Sequence, residues 1–279
     1  MERLSHCPIC RGNVAGARRI SARQRDDLYR CPRCASVFSN PRYTPDELAE
    51  LYRQEYYLPG APRASDRAAE QAGAERLHRT ILGILAQRYP QAVRAGARLL
   101  DFGCGLGYFL AEAGKAGIRG IGVELSAEAA EFARTQLGVE VVRGDESALE
   151  GLDGEFDLIA AWEVIEHVLQ PRDVLRLLVG KLAPGGVLGL SLPNIGCWRF
   201  RIQAGRWFNA ANPAHLSFPT WPAIRGLLTE LGLTDVRRAV FWGGRRGFGP
   251  LANLVQYLAR ALNLGSDMRV FAQKPHYDD

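Results

Sequence analysis

The sequence lacks any run of about 18 apolar residues, the length that a membrane-spanning helix requires. Residues 1–7 also lack the apolar core of a signal peptide. Hydrophobic residues make up 47% of the chain and charged residues 23%, which is typical of soluble globular proteins. We therefore expect a cytoplasmic protein with no membrane span. The 279 residues suffice for one α/β domain and a small module.

Acidic residues are scarce near the N-terminus. Residues 1–40 contain eight arginines and three acids, which account for the whole formal net charge of +5. Such an excess is weak evidence for a nucleic-acid partner, because four thiolates around one zinc ion offset two positive charges.

Cysteine is rare outside two Cys-x-x-Cys pairs, which are separated by residues 11–30. Two such pairs supply the four thiolates of a closed tetrahedral zinc site, whereas a redox dithiol needs only one pair. A closed site has no open coordination position, so its zinc is structural. We predict a zinc-ribbon-like module over residues 1–40, with the metal ligands Cys7, Cys10, Cys31 and Cys34.

Residues 41–90 are predicted to be a helical linker and cap region. Thr44 and Glu47 form a capping box for a short helix over 46–52, and apolar residues at three- and four-residue spacing predict a longer helix over about 65–89.

Residues 91–279 alternate between strand and helix patterns, which predicts a doubly wound parallel sheet. The predicted strands are 98–101, 120–124, 139–143, 156–161, 187–192, 235–242 and 268–273. The predicted helices are 108–116, 127–137, 164–168, 173–181, 220–231 and 251–262.

The loop after the first of these strands is rich in glycine. Gly103, Gly105 and Gly107 precede a helix, where glycines let the backbone pass close beneath a ligand and free N–H groups face it. A dinucleotide fingerprint needs its third glycine at position 108, which is Tyr108. The spacing argues against NAD, although a tight turn without a ligand also fits the glycines alone.

Three acids lie at the ends of three successive strands. They are Asp101, Glu124 and Asp145. The carboxyl ends of parallel strands meet at one edge of a sheet, so these acids outline a crevice there. Glu124 is placed to accept hydrogen bonds from both hydroxyls of a ribose, and Asp145 to meet the exocyclic amine of adenine.

Residues 75–275 resemble the class I S-adenosylmethionine-dependent methyltransferases. The motifs that carry the resemblance are Leu-Leu-Asp-Phe-Gly-Cys-Gly-Leu-Gly at 99–107, Val-Glu-Leu-Ser at 123–126, Gly-Asp at 144–145, Phe-Asp-Leu-Ile at 156–159, Glu-Val-Ile-Glu-His-Val at 163–168 and Pro-Gly-Gly at 184–186. The group with E-x-x-E-H after the fourth strand includes many small-molecule O-methyltransferases and some sugar methyltransferases.

The resemblance implies an α/β fold: a seven-stranded, doubly wound Rossmann-like methyltransferase sheet whose last strand is antiparallel, here beside a small N-terminal zinc-binding module. It implies that the glycine loop holds the methionine part of S-adenosylmethionine, Glu124 the ribose and Asp145 the adenine. The predicted cofactor-binding residues are Asp101, Gly103, Cys104, Gly105, Gly107, Glu124, Leu125, Asp145 and Trp162.

Glu163, Glu166 and His167 would share one face if residues 164–168 are helical. His167 is then a candidate general base. The resemblance to ubiquinone-pathway O-methyltransferases also allows a divalent metal at these three residues. A hydrogen-bonding network that only shapes the cofactor pocket fits them as well.

Residues 194–219 form a long connection that contains five Trp or Phe residues and no acid. We predict an acceptor-site lid in which Arg199, Arg201 and Arg206 face an anionic group such as a carboxylate, a phosphate or a nucleotide-linked sugar. A packed or membrane-facing helical hairpin is the alternative. His215 in this segment is a second candidate base, or a structural histidine.

The sequence thus predicts methyl transfer from S-adenosylmethionine to a small molecule, at an oxygen or carbon atom of an anionic metabolite or sugar derivative. One alternative is an RNA methyltransferase that uses the basic zinc module, although residues 160–163 lack the Asn/Asp-Pro-Pro-aromatic motif of base-amino methyltransferases. A second alternative is a non-catalytic regulator that binds S-adenosylmethionine.

Overall fold

Residues 1–23, 26–55, 64–241 and 265–276 are described by a computed structural model. Their strands form two β-sheets, one of four strands and one of seven. None of the helices in these ranges has the length and apolar character that crossing a bilayer demands.

The N-terminal module, residues 1–40, contains a small antiparallel sheet. Its strands are β1 (Arg18–Ala22), β2 (Asp27–Arg30) and β3 (Val37–Ser39). Leu28, Val37 and Phe38 are fully buried, but so short a segment encloses little apolar surface of its own.

Two helices follow, α1 (Pro45–Glu55) and α2 (Ala64–Arg88). The capping box predicted for α1 is confirmed: the Thr44 amide donates to Glu47 Oε2 at 2.9 Å, and the Glu47 amide donates to Thr44 Oγ1 at 3.4 Å. Ile81 and Leu85 of α2 are buried in the core of the larger sheet, so this helix belongs to the packed domain.

The remaining elements alternate between strand and helix. They are β4 (Arg98–Phe102), α3 (Tyr108–Lys115), β5 (Arg119–Glu124), α4 (Ala127–Leu137), β6 (Glu140–Arg143), β7 (Phe156–Trp162), α5 (Pro171–Gly180), β8 (Leu182–Pro193), α6 (Trp198–Gln203), α7 (Phe208–Ala211), β9 (Ser217–Phe218), α8 (Trp221–Glu230), β10 (Thr234–Phe241) and β11 (Asp267–Gln273).

The larger sheet has the order β10-β11-β8-β7-β4-β5-β6, and β11 is antiparallel to both of its neighbours. Helices α2, α3 and α4 pack on one face, and α5 and α8 pack on the other. The predicted seven-stranded, doubly wound fold is therefore confirmed. The carboxyl ends of β4 to β8 meet at one edge of the sheet.

The helix predicted over residues 164–168 is wrong, because this segment consists of turns. The Glu166 carbonyl accepts hydrogen bonds from the amides of Leu216 (2.7 Å) and Ser217 (3.2 Å). In a helix this carbonyl would instead accept a hydrogen bond from an amide of the same helix. Val164, Ile165 and Val168 are β-branched and give little local support to a helix. The helix predicted over 251–262 and the end of the strand at Trp242 lie outside the described residues.

Residues 194–219 are fixed to the N-terminal module. Strand β9 pairs with β3 and becomes the fourth strand of the small sheet. The buried guanidinium of Arg23 forms an ion pair with Asp26 and donates to the carbonyls of Ala210 (3.2 Å), Asn212 (2.8 Å) and His215 (3.1 Å). The Thr220 hydroxyl, at the start of α8, donates to the Cys34 carbonyl at 2.9 Å.

Replacing Arg23 tests this attachment. Arg23→Ala leaves the Asp26 carboxylate buried without its partner, so the free energy of unfolding should fall by about 3–5 kcal/mol in urea titrations. Arg19→Ala is the matched control, since Arg19 pairs with Asp27 in solvent and its loss should change stability little. Equal losses in the two variants would contradict the anchoring role.

Candidate functional site

The three glycines of the loop after β4 serve different purposes. All three have positive φ, at 73°, 54° and 80°. A Cβ on Gly103 would lie 2.5 Å from Val164, and one on Gly107 would lie 2.9 Å from Ala133. A Cβ on Gly105 would meet nothing within 4 Å. The outer glycines therefore allow close packing, and the middle one leaves open space above the backbone.

Glu124 at the end of β5 is tied to this loop. Its Oε2 accepts a hydrogen bond from the Gly105 amide at 2.8 Å, and its Oε1 accepts one from the Ser126 amide at 2.8 Å. Each carboxylate oxygen retains a second lone pair for a ligand hydroxyl. Leu125, the next residue, is 49% exposed and offers an apolar surface beside the carboxylate.

The other two acids have opposite electrostatic environments. Hydrogen bonds from the Ser147 hydroxyl (2.6 Å) and amide (2.9 Å) lower the pKa of Asp145. Asp101 is only 2% exposed; burial, and then the charge of Glu124, raise its pKa to about 8. The strand register brings all three acids to one edge of the sheet, as the sequence predicts.

Two other predicted cofactor residues have packed side chains. The sulfur of Cys104 lies against Gly122 of β5, and burial raises the pKa of its thiol. The indole of Trp162 makes edge contacts with Phe109 and Phe271, at centroid distances of 5.4 and 6.3 Å. Contact between these side chains and the cofactor stays a prediction.

The turn after β7 brings Glu166 and His167 together with His215. Their potential metal-ligating atoms all lie within 4.8 Å of one another. Glu163 is not one of these three residues, although its carboxyl hydrogen-bonds to that of Glu166; it has a φ of 55°, and its amide donates to Ser191 Oγ at 2.8 Å. The structure thus replaces one member of the predicted group with His215, which lies 48 positions from His167 in sequence.

Burial governs the protonation of this cluster. It lowers the pKa of His167 to about 3, with a further contribution from His215, and it lowers the pKa of His215 to about 4. Burial also raises the pKa of Glu166, as does the charge of Glu163. The two histidine rings meet edge to face at 4.5 Å. Both histidines are therefore uncharged at neutral pH.

Hydrogen bonds orient the two rings. His215 Nδ1 lies 2.7 Å from the carbonyl oxygen of Asn209, so in the neutral ring this nitrogen carries the proton and Nε2 has the lone pair. His167 hydrogen-bonds to the Ala214 backbone. His167 is the more exposed of the two histidines, and its ring is neutral.

The three arginines predicted to face a substrate have different surroundings. Arg199 stacks on Trp198 at 5.5 Å, and Arg206 is exposed. Arg201 lines a cavity of about 670 Å³ between the N-terminal module and the larger domain. The other arginines that line this cavity are Arg18, Arg30 and Arg238. We call the cavity the arginine cleft. The sequence did not identify these three arginines, because they come from distant segments.

The four cysteines of the N-terminal module form a compact cluster. The sulfurs of Cys7 and Cys34 are 3.8 Å apart, those of Cys10 and Cys31 are 3.6 Å apart, and all four lie within 4.8 Å. Tetrahedral zinc with Zn–S bonds of about 2.3 Å requires sulfur separations of about 3.8 Å. The cluster therefore has the dimensions of a four-thiolate zinc site.

The sequence and fold match those of known proteins. A family model described as a methyltransferase domain matches residues 72–238. The ubiquinone biosynthesis O-methyltransferase of Xanthomonas euvesicatoria is 35% identical over 106 residues, which cover 36% of this chain and 44% of the relative. The chain thus spans less than half the length of this curated relative.

Two solved structures share the fold. A SAM-dependent methyltransferase from Archaeoglobus fulgidus has a TM-score of 0.52 and 21% identity, covering 71% of this chain and 94% of its own. The magnesium protoporphyrin IX methyltransferase from Synechocystis PCC 6803, with bound SAH, has a TM-score of 0.54 and 14% identity, covering 81% and 94%.

These matches indicate the same family as the glycine loop and the three acids at the edge of the sheet. The family match extends over more than half of the chain. It includes the loop after β4, the acids at strand ends and the turn after β7. The chain belongs to the class I S-adenosylmethionine-dependent methyltransferases.

Proposed function

We propose that this methyltransferase acts on an oxygen atom of an anionic small molecule. The observation that carries the proposal is the uncharged His167, which lies half-buried beside Glu166 and His215 at the sheet edge that also holds the glycine loop. A neutral imidazole can accept the proton of a hydroxyl acceptor. The O-methyltransferase name of the relative from Xanthomonas euvesicatoria supports the same acceptor atom.

The glycine loop and the three acids are proposed to hold S-adenosylmethionine. Open space above Gly105 admits the methionine part, Glu124 accepts hydrogen bonds from the ribose hydroxyls, and Asp145 accepts one from the adenine amine. Asp101 adds a buried carboxyl whose ionisation a nearby cation favours. The cofactor supplies a methyl group that is already activated by its sulfonium.

The protein must then align the acceptor with the methyl group and remove the hydroxyl proton. His167 is the proposed base. Its low pKa makes it a weak base alone, so the carboxyl of Glu166, which lies within 4.8 Å of its ring, is proposed to stabilise the imidazolium that forms by accepting a hydrogen bond through its carbonyl oxygen while it keeps its own proton. His215 positions the ring of His167 through their edge-to-face contact.

The four-cysteine cluster is proposed to bind structural zinc. Its sulfur separations support four-thiolate coordination, which leaves no open position for catalysis. The metal would hold together a module that has little apolar core.

Calorimetric titration with S-adenosylhomocysteine tests the cofactor site. Glu124→Ala should weaken binding by about 10- to 100-fold, since a hydrogen bond to a charged group contributes about 1.5–3 kcal/mol. Glu128→Ala is the control, because this carboxylate is exposed on α4. No binding to the unmodified protein, or the same affinity in both variants, would contradict the assignment.

A methyl-transfer assay over phenols, carboxylates, nucleotide sugars and RNA tests the acceptor class. A methylated oxygen on an anionic small molecule is the expected product. Methylation of RNA alone would favour the basic-module alternative, and cofactor binding without any transfer would favour a regulator.

His167→Gln should lower kcat on the acceptor so identified by about 10²- to 10⁴-fold, the usual contribution of a general base, with unchanged affinity for S-adenosylhomocysteine. His6→Gln, at an exposed histidine, should leave kcat intact. Because a pKa of about 3 keeps His167 neutral, kcat/KM should not fall between pH 8 and pH 5. A decline centred near pH 6.5 would show that another histidine is the base.

Metal analysis tests the cysteine cluster. Protein prepared under reducing conditions should contain about one zinc ion per chain, and Cys34→Ser should lower this content and the melting temperature. Cys197→Ser is the control, since Cys197 is buried outside the cluster. Zinc content well below one ion in the unmodified protein would rule out the site.

A further inference from the structure

The arginine cleft lies where the N-terminal module meets the methyltransferase domain. Arg18 and Arg30 come from β1 and β2 of the module, and Arg201 and Arg238 come from α6 and β10 of the domain. Two parts of the chain that are remote in sequence thus contribute two positive charges each to one cavity.

The positive charges of the module face each other. Arg18 and Arg30 are directly opposite in the antiparallel pairing of β1 with β2. Like charges in this arrangement repel each other and destabilise the pair of strands. Burial, and then the charge of Arg18, lower the pKa of Arg30. The repulsion between the two arginines costs free energy, and a bound anion would offset it.

The cleft arginines differ from three other arginines of the module. Arg11, Arg19 and Arg23 form ion pairs with carboxylates. Among the residues that the structure describes, no carboxylate forms an ion pair with an arginine of the cleft, and none lines it. Arg238 instead lies over the ring of Trp221 at 5.3 Å. The cleft therefore concentrates positive charge that the described chain does not neutralise.

The size and walls of the cleft fit a small molecule. Its volume of about 670 Å³ is within the range of about 300–1,000 Å³ that is usual for ligand pockets. Ile20, Phe200 and Trp221 give it apolar and aromatic walls. Four guanidinium groups exceed what one carboxylate would neutralise, and their planar forks match the oxygens of phosphate.

The cleft borders the same edge of the larger sheet as the reaction site. Asn194, Ile195 and Gly196 line it and follow β8 directly. Strand β8 pairs with β7, in which Trp162 is opposite Ser191, and Ser191 Oγ accepts from the Glu163 amide at 2.8 Å. Because β7 and β8 are parallel, the residues that follow them lie at the same edge of the sheet, so a molecule bound in the cleft is on the same side of the sheet as the turn that carries His167.

We propose that the arginine cleft binds the phosphate or diphosphate group of the methyl acceptor, with Arg18 and Arg30 of the N-terminal module as half of the anion site. The inference rests on the proposed function and narrows its anionic acceptor to a phosphorylated small molecule. It gives the cysteine module a direct part in substrate binding.

Calorimetric titration of the zinc-loaded full chain with inorganic pyrophosphate tests the proposal. The double variant Arg18→Gln/Arg30→Gln should bind pyrophosphate at least about 10-fold more weakly, since each charge-assisted contact to phosphate is strong. Arg238→Gln removes an arginine of the domain without altering the module, and should also weaken binding. The matched controls are Arg3→Gln and Arg225→Gln, at exposed arginines outside the cleft, which should bind normally.

S-adenosylhomocysteine is titrated into every variant in parallel. Its affinity should be unchanged, which shows that the domain is folded and separates the two proposals. Intact binding of S-adenosylhomocysteine with no binding of pyrophosphate, or with equal binding in all variants, overturns the cleft proposal alone. If the unmodified protein does not bind S-adenosylhomocysteine, the proposed function is overturned.

A single-stranded RNA oligonucleotide provides a further arm of the experiment. Binding of this RNA that is tighter than that of pyrophosphate and is lost in the double variant would overturn the small-molecule assignment. Weak binding of RNA that is the same in all variants would support it.

Discussion

The guanidinium of Arg23 joins the two parts of this protein. It is buried with the Asp26 carboxylate and donates to three carbonyls in residues 210–215. A buried charge of this kind is tolerated only when its donors are satisfied, so the geometry around it is restricted. The last of the three carbonyls belongs to His215, whose ring contacts His167. The position of the proposed base thus depends on a contact made by the N-terminal module.

This attachment changes the structural role that we assign to residues 194–219. The sequence suggests a lid, but the segment contributes β9 to the small sheet and borders the arginine cleft. A lid that moved freely would have to break the pairing with β3 and the hydrogen bonds to Arg23. The segment is therefore better described as a fixed wall that the module and the methyltransferase domain share.

The most accurate predictions from the sequence concern features that short segments of the chain determine. Strands β4 to β8, the capping box of Thr44 and the cysteine loops follow from short-range patterns, and the acids at strand ends follow from parallel topology. The turn after β7 was mispredicted because its Glu166 carbonyl is bonded by Leu216 and Ser217, about 50 residues away. The pairing of His167 with His215, and the four arginines of the cleft, also depend on distant segments that no local pattern connects.

The shared sheet has a consequence for how this architecture can be recombined. Strand β9 lies in the methyltransferase domain but completes the sheet of the N-terminal module. The folded module therefore includes a segment of the chain outside residues 1–40. Deleting residues 1–40 would leave β9 as an unpaired edge and expose the apolar side chain of Phe218, a surface prone to aggregation. The unit that gene fusion or design can exchange among related enzymes is discontinuous, and it must include both the cysteine loops and the segment that ends at β9.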